Sequence, residues 1–187
     1  MFSISEKRDG RKEMIGKVAS VNVRAGIILA ITDFEWTLIR SILVLGKTPT
    51  VELRDKLLDK STKFDKIETI WNEEIKAQPL KKLFDEWASQ NGLKPVEWND
   101  IKAAREVRNI LVHSGESSVD DETAHAIIRL LEKACDILCA FAKSKGKELY
   151  DNLKPRPRKR GQGEYKSKTR DRWQKAHQKC AGFSQKY

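Results

Sequence analysis

The longest hydrophobic repeats in the chain have the three-and-four spacing of amphipathic helices. One stripe predicts a helical region from about residue 13 to residue 45, with Gly26 as a break or bend and Gly46 as its end. A second stripe, preceded by a capping box at Ser118 and Asp121, predicts a last helix that runs to about residue 150. The stripe residues are Ile28, Ile31, Leu38, Ile42 and Leu45 in the first helix, and Ala124, Ile127, Ile128, Leu131, Ala134, Leu138 and Phe141 in the last.

Four shorter helices are predicted between these two, over about residues 48–58, 63–77, 80–90 and 96–112. Pro79 and Pro95 precede the last two of them, and Asn91-Gly92 ends the helix at 80–90. Because no segment alternates polar and apolar residues for long enough to form a strand, the predicted fold class is all-α. We expect an up-and-down helical bundle of about five to six helices over residues 1–150.

The positive charge is concentrated in the last fifth of the chain. Residues 151–187 hold 12 Lys or Arg against 3 Asp or Glu, a net charge of +9 out of +10 for the whole chain. With few aliphatic residues, this segment cannot bury enough apolar surface to fold, so we expect a disordered basic tail. Its cations alternate with aromatic residues, which suits single-stranded nucleic acid; a solubilising or protein-binding tail is the alternative. The expected RNA contacts in the tail are Arg156, Arg158, Lys159 and Arg160.

The remaining composition narrows the class of protein. The longest apolar run covers residues 27–31 and is too short to cross a membrane, and residues 1–8 lack the apolar core of a signal peptide. Three cysteines provide no disulfide framework. We therefore expect a soluble cytoplasmic protein.

The residues most informative about function lie in the helix predicted at 96–112 and just after it. On a helical wheel, Arg108 falls within the apolar stripe that holds Ile101 and Ala104, where a cation is costly unless it is paired. His113 closes the same helix, and Asn109 lies one turn before it on the same face. Arg108 and His113 are about 140° apart on a straight helix. They converge only if the helix end loosens or if two subunits pool their residues.

This helix end resembles a known family motif. Residues 108–113, Arg-Asn-Ile-Leu-Val-His, are similar to the Arg-polar-x3-His signature of the HEPN superfamily, and Phe34-Glu35 resembles the aromatic–acidic pair of several HEPN families. The resemblance covers about residues 10–150. It implies an all-helical, homodimeric, metal-independent ribonuclease of the kind found in toxin–antitoxin, phage-defence and RNA-processing systems. Its implied partners are RNA and an antitoxin or other regulatory protein, with no cofactor.

The resemblance also implies roles for particular residues. Arg108, His113 and Asn109 form the expected catalytic site: histidine acts as a base or an acid near neutral pH, and arginine offers a planar fork to phosphate oxygens. A dimer supplies two histidines, one for each proton transfer. Glu35 is expected to support the site by holding Arg108, and Arg105 to contact RNA.

Each of these residues also has a purely structural interpretation. Arg108 is then a structural cation paired with Glu35, and His113 is a C-terminal helix cap favoured by the helix dipole. Asn109 and Arg105 are then solvated surface residues. For the whole protein, the alternative is a non-catalytic helical dimerisation module whose basic tail binds RNA or an acidic partner.

The chain has no motif that predicts a metal site or a cofactor. Cys135 and Cys139 lie within the apolar stripe of the last helix and are expected in the core. His177 and Cys180 have ligand spacing but no further ligand nearby in the sequence. Glycine-rich phosphate-binding loops are absent from the sequence.

Overall fold

The computed structural model describes residues 8–58, 64–113 and 119–150. All regular structure within these residues is helical, which confirms the predicted fold class. Residues 151–187 lie outside the described residues, so the basic tail stays a prediction. The described part of the chain forms seven helices: α1 (Arg8–Val21), α2 (Val23–Leu45), α3 (Thr50–Leu58), α4 (Phe64–Glu74), α5 (residues 80–90), α6 (Trp98–His113) and α7 (Asp121–Ser144).

The first predicted helix is two helices in the structure. The chain leaves the helical conformation at Asn22, where the backbone is extended with φ −148° and ψ 98°. Oδ1 of Asn22 accepts a hydrogen bond from the backbone N–H of Ala25 at 3.0 Å and so caps the start of α2. The predicted helical region therefore does break, but at Asn22 and not at Gly26, which lies inside the first turn of α2.

Gly26 serves close packing rather than bending. A Cβ atom on Gly26 would lie 2.7 Å from Cβ of Ala19 on α1 and 3.1 Å from Cδ1 of Ile128 on α7. The missing side chain thus allows α1, α2 and α7 to approach one another at this point.

Replacing Gly26 with alanine is expected to destabilise the protein by about 0–2 kcal/mol, the difference between an overpacking cost and a gain in helix propensity. Helix propensity favours alanine by about 1 kcal/mol, but overpacking costs about 1–3 kcal/mol and the backbone of Ala19 is too close to yield. Urea unfolding measures the difference. Gly16→Ala on α1 is the control: nothing lies within 4 Å of its new Cβ, so it should stabilise the protein. Equal stability of the two variants would contradict the packing argument.

The central helix of the bundle is α2, which packs against α1, α3, α4, α6 and α7. Its longest contact is with α7, because both helices carry a continuous buried stripe. The predicted stripe of the last helix is largely confirmed, and Cys135 lies in the core as expected. The buried residues of the two helices include Ile27, Ile31, Phe34, Leu38 and Ile42 on α2, and Ala124, Ile128, Leu131, Leu138 and Phe141 on α7.

An aromatic cluster fixes the start of α6. The ring centroid of Phe34 on α2 lies 6.2 Å from that of Phe84 on α5 and 6.4 Å from that of Trp98, the first residue of α6. Phe84 and Trp98 are stacked at 5.6 Å. Phe84 lies in a π-helical turn, Leu83–Trp87, that interrupts α5. The predicted end of α5 is confirmed, since Gly92 follows it with φ +73°.

The last helix begins and ends at other residues than predicted. Asp120 caps α7 by accepting a hydrogen bond from the backbone N–H of Thr123, while Ser118 of the predicted capping box lies outside the described residues. The helix ends at Ser144 rather than near residue 150, and Gly146 follows with φ +70°. The chain then returns to α2, where Leu149 is buried and its carbonyl accepts a hydrogen bond from Nε of Arg40.

Candidate functional site on α6 and α2

The helix α6 is fixed at its beginning and exposed at its end. Trp98, Ile101 and Ala104 are buried in the core. In the last turn, by contrast, Ile110 is 54% exposed and Val112 is 48% exposed. The Arg-polar-x3-His motif therefore lies in the last turns of a well-anchored helix, where Ile110 and Val112 are exposed while Leu111 packs against the core.

Within this motif, Arg108 has hydrogen-bonding capacity to spare. Its guanidinium is partly buried, Nη1 donates to Oδ1 of Asn109 at 3.3 Å, and the buried Nε makes no hydrogen bond. Among the described residues, no carboxylate forms an ion pair with Arg108. Because a partly buried guanidinium without a counter-ion is costly, the position favours binding of an anion.

The carboxylate of Glu35 is paired with a different cation from the one expected. Oε1 of Glu35 lies 2.9 Å from Nε of Arg105, and each side chain is 25% exposed. The expectation that Glu35 holds Arg108 is therefore wrong. Arg105 and Arg108 lie about 60° apart around the axis of α6, so the two share one side of the helix. The packing of α6 on α2 then determines which of the two arginines is close enough to Glu35 to pair with it.

The position of His113 is known from the backbone alone. It is the last residue of α6, and its side chain lies outside the described residues, as do residues 114–118. Since α6 stays helical through His113, the backbone positions of Arg108 and His113 remain about 140° apart around the axis. Within one subunit, the two halves of the motif therefore lie on different sides of α6.

An apolar stripe on the outer face of α2 was not predicted from the sequence, apart from Ile28, which was assigned to the main stripe of the helix and is only partly buried. Its members are all partly or largely exposed and fall within an arc of about 100°. Trp36, the most exposed of them, is 43% accessible. The sequence feature that could have revealed this stripe is that α2 is apolar around most of its circumference. A helix with one solvent-exposed face normally carries polar residues on that face. This α2 stripe consists of Ile28, Leu29, Trp36, Ile39 and Leu43.

A buried polar cluster on the other side of α2 was also missed. Asp33 is almost fully buried, and Oδ2 lies 3.0 Å from Nη1 of Arg8 while Oδ1 lies 3.1 Å from Nε of Arg11. The thiol of Cys135 on α7 points at the same carboxylate, 3.8 Å away. Burial raises the pKa of Asp33, although both guanidiniums oppose this shift, and burial also raises the pKa of the Cys135 thiol.

No protein-family model, curated protein or solved structure matches this chain. Among the described residues, no three His, Cys, Asp or Glu side chains are grouped as metal ligands would be. Within residues 8–58, 64–113 and 119–150, every helix falls short of the length or apolar character needed to span a bilayer.

Proposed function

We propose that this protein is a metal-independent endoribonuclease of the HEPN type, acting in the cytoplasm as a homodimer. The observation that carries the proposal is Arg108: its partly buried guanidinium has no carboxylate partner in the described chain, since Glu35 is engaged by Arg105. A phosphate of RNA is an anion that suits such a position. The resemblance of residues 108–113 to the HEPN motif supplies the reaction.

In this reaction the 2′-oxygen of a ribose attacks the adjacent phosphorus. One histidine accepts the 2′-hydroxyl proton, the bond from phosphorus to the 5′-oxygen breaks, and a second histidine donates a proton to the leaving oxygen. Arg108 stabilises the negative charge of the phosphorane, and Asn109 holds the Arg108 side chain. The products are a 2′,3′-cyclic phosphate and a 5′-hydroxyl.

Two copies of the motif are needed for this chemistry. One chain offers a single His113, and its backbone position lies on a different side of α6 from Arg108. We propose that a second copy of the chain covers the α2 stripe in a two-fold dimer. The ion pair of Glu35 with Arg105 fixes α6 beside this stripe, and Val112 lies two turns after Arg105 on the same side. Pairing of the stripes would bring the ends of two α6 helices together.

Incubation of the protein with RNA in excess EDTA tests the proposed activity. Cleavage should persist, and the products should carry 2′,3′-cyclic phosphate ends. Products with 3′-hydroxyl ends that form only with added magnesium would contradict the proposal. A dimer that binds RNA without cleaving it would favour the alternative, a non-catalytic dimerisation module.

Replacing Trp36 with glutamate is expected to weaken the dimer by about 100-fold or more, because an unpaired charge would be buried in the interface. Light scattering across a concentration series measures the change, and cleavage should fall with the dimer fraction. Val51→Glu on α3 is the control, since Val51 is also an exposed apolar residue outside the α2 stripe. Unchanged self-association of the Trp36→Glu protein would show that the α2 stripe is not the interface.

Removal of residues 151–187 is expected to weaken RNA binding and reduce its salt dependence. The tail carries a net charge of +9, and each lost phosphate contact should change the log–log slope by about 0.7 for a single strand. The truncated chain must keep Leu149 and Tyr150, which pack on α2. Binding is measured over a salt series in a His113→Ala background. Identical slopes with and without the tail would show that it does not hold RNA.

A further inference from the structure

Two arginines converge on one aromatic ring at the end of the described chain. The guanidinium carbon of Arg11 lies 4.2 Å from the ring centroid of Tyr150, and that of Arg40 lies 5.4 Å from it. The three residues come from α1, α2 and the segment after α7. The Arg11 side chain is only 6% exposed, so its charge is held inside the protein.

The charges of this cluster do not balance. Asp33 is shared by Arg8 and Arg11, and Asp136, the other carboxylate that contacts Arg8, is half-exposed. Among the described residues, no carboxylate pairs with Arg40. Arg40 is partly buried, and burial, together with repulsion from Arg11, lowers its pKa. The cluster therefore contains more positive than negative charge.

Tyr150 does not supply the missing negative charge. Burial raises the pKa of Tyr150 to about 12, so its hydroxyl is neutral at physiological pH. That hydroxyl lies 2.6 Å from Oγ1 of Thr37. Because Thr37 donates its own proton to the carbonyl of Asp33, Tyr150 is the donor in this pair. Its proton is thus already engaged, and the ring acts as a wall beside the two guanidiniums.

Several guanidinium donors in the cluster have no acceptor. Nη2 of Arg11 is buried and makes no hydrogen bond in the described chain. Nε of Arg11 is near Oδ1 of Asp33, but the contact is electrostatic because neither atom is hydrogen-bonded. Arg40 donates from Nε to the carbonyl of Leu149, and its terminal nitrogens make no hydrogen bond within the described residues. A buried donor without an acceptor, such as Nη2 of Arg11, is rare in protein interiors and favours a bound acceptor.

We propose that Arg11 and Arg40 form a binding site for a phosphate-type oxyanion, with Tyr150 as its wall. A tetrahedral anion with several oxygens accepts hydrogen bonds from both guanidiniums and neutralises the excess charge. The site is separate from Arg108: Arg40 lies about 140° around α2 from Glu35, the residue that joins α2 to α6. It requires neither the tail nor a second subunit.

Isothermal titration calorimetry of the full-length protein with inorganic phosphate tests this site. We expect saturable binding at low ionic strength, and at least about tenfold weaker binding by Arg40→Gln, which loses charge-assisted hydrogen bonds. Arg40→Lys keeps the charge but not the planar fork, so it should bind with intermediate affinity. A second titration with a nucleoside 5′-monophosphate distinguishes a free-phosphate site from one that takes the terminal phosphate of a nucleotide.

Two controls separate this site from the proposed ribonuclease site. Arg129→Gln removes an exposed arginine of α7 and should leave phosphate binding unchanged. Arg108→Gln should leave the part of the phosphate binding that depends on Arg40 unchanged while abolishing cleavage. No phosphate binding by the wild-type protein, or equal affinity of the wild-type and Arg40→Gln proteins, would overturn the proposal. Loss of phosphate binding in Arg108→Gln alone would place the anion on α6 instead. If Arg40→Gln does not fold, the comparison with Arg40→Lys decides.

Discussion

Replacing either Arg108 or His113 with alanine is expected to reduce RNA cleavage by about 10²–10⁴-fold while the protein stays folded. Loss of His113 removes the group that transfers protons. Loss of Arg108 removes a cation that forms no ion pair with a carboxylate among the described residues, so its truncation leaves no unpaired charge behind. Arg108 is not among the buried core residues and His113 is the last residue of α6, so we expect the fold to survive both replacements.

The measurement is the single-turnover cleavage rate at saturating RNA, with circular dichroism to confirm folding. His125→Ala and Arg129→Ala on α7 are matched controls, since they remove an exposed histidine and an exposed arginine outside the motif. The controls should retain the wild-type rate. Wild-type rates in folded Arg108→Ala and His113→Ala proteins would rule out the proposed catalytic roles.

The largest effect on stability is expected at Asp33. Its replacement with alanine leaves the guanidiniums of Arg8 and Arg11 without their shared carboxylate in the core. Breaking a buried ion pair by removing one partner costs about 3–5 kcal/mol. Because Asp33 joins α1 to α2, we also expect α1 to lose its protection from hydrogen exchange first.

Urea unfolding of Asp33→Ala and Asp136→Ala compares a buried with a half-exposed partner of the same arginine. Asp136 contacts Arg8 at 3.5 Å from a side chain that is about half-exposed, so its loss should cost no more than about 1 kcal/mol. If Asp33→Ala unfolds at the same urea concentration as the wild-type protein, the buried ion pairs do not stabilise the fold.

Much of the fold follows from local patterns. The three-and-four spacing of apolar residues identified the buried face of α7, and Asn91-Gly92 and Gly46 marked the ends of α5 and α2. These signals act within one or two helical turns. Because they do not depend on contacts between distant parts of the chain, the features they predict are found in the folded protein. The break at Asn22 was not predicted, because a glycine nearby is the stronger local signal for a break. In the structure Asn22 caps the new helix, and Gly26 is instead needed for close packing on Ala19.

The candidate site shows the limit of such patterns. The motif at residues 108–113 was visible in the sequence itself. The position of Arg108 within the apolar stripe followed from its angle around α6. The partner of Glu35 was not visible, because Arg105 and Arg108 share one side of the helix and lie 70 or more residues away in sequence. The angle of a residue around its helix does not determine the axial register, that is, which turn of one helix lies beside which turn of the other. The axial register of α6 against α2 is fixed by the stacking of Trp98 on Phe84 and by their contacts with Phe34.

The polar clusters depended entirely on tertiary structure. Asp33 reads as a carboxylate in the middle of an apolar helix, and nothing nearby in the sequence identifies Arg8 and Arg11 as its partners. From the sequence, Tyr150 is expected at the end of a long last helix. In the structure the chain turns at Gly146, and Tyr150 lies against α2. Periodicity along the chain thus determines which face of each helix is buried. The identity of the charges that meet there is decided by packing, because burial makes an unpaired charge costly and selects the geometry that pairs it.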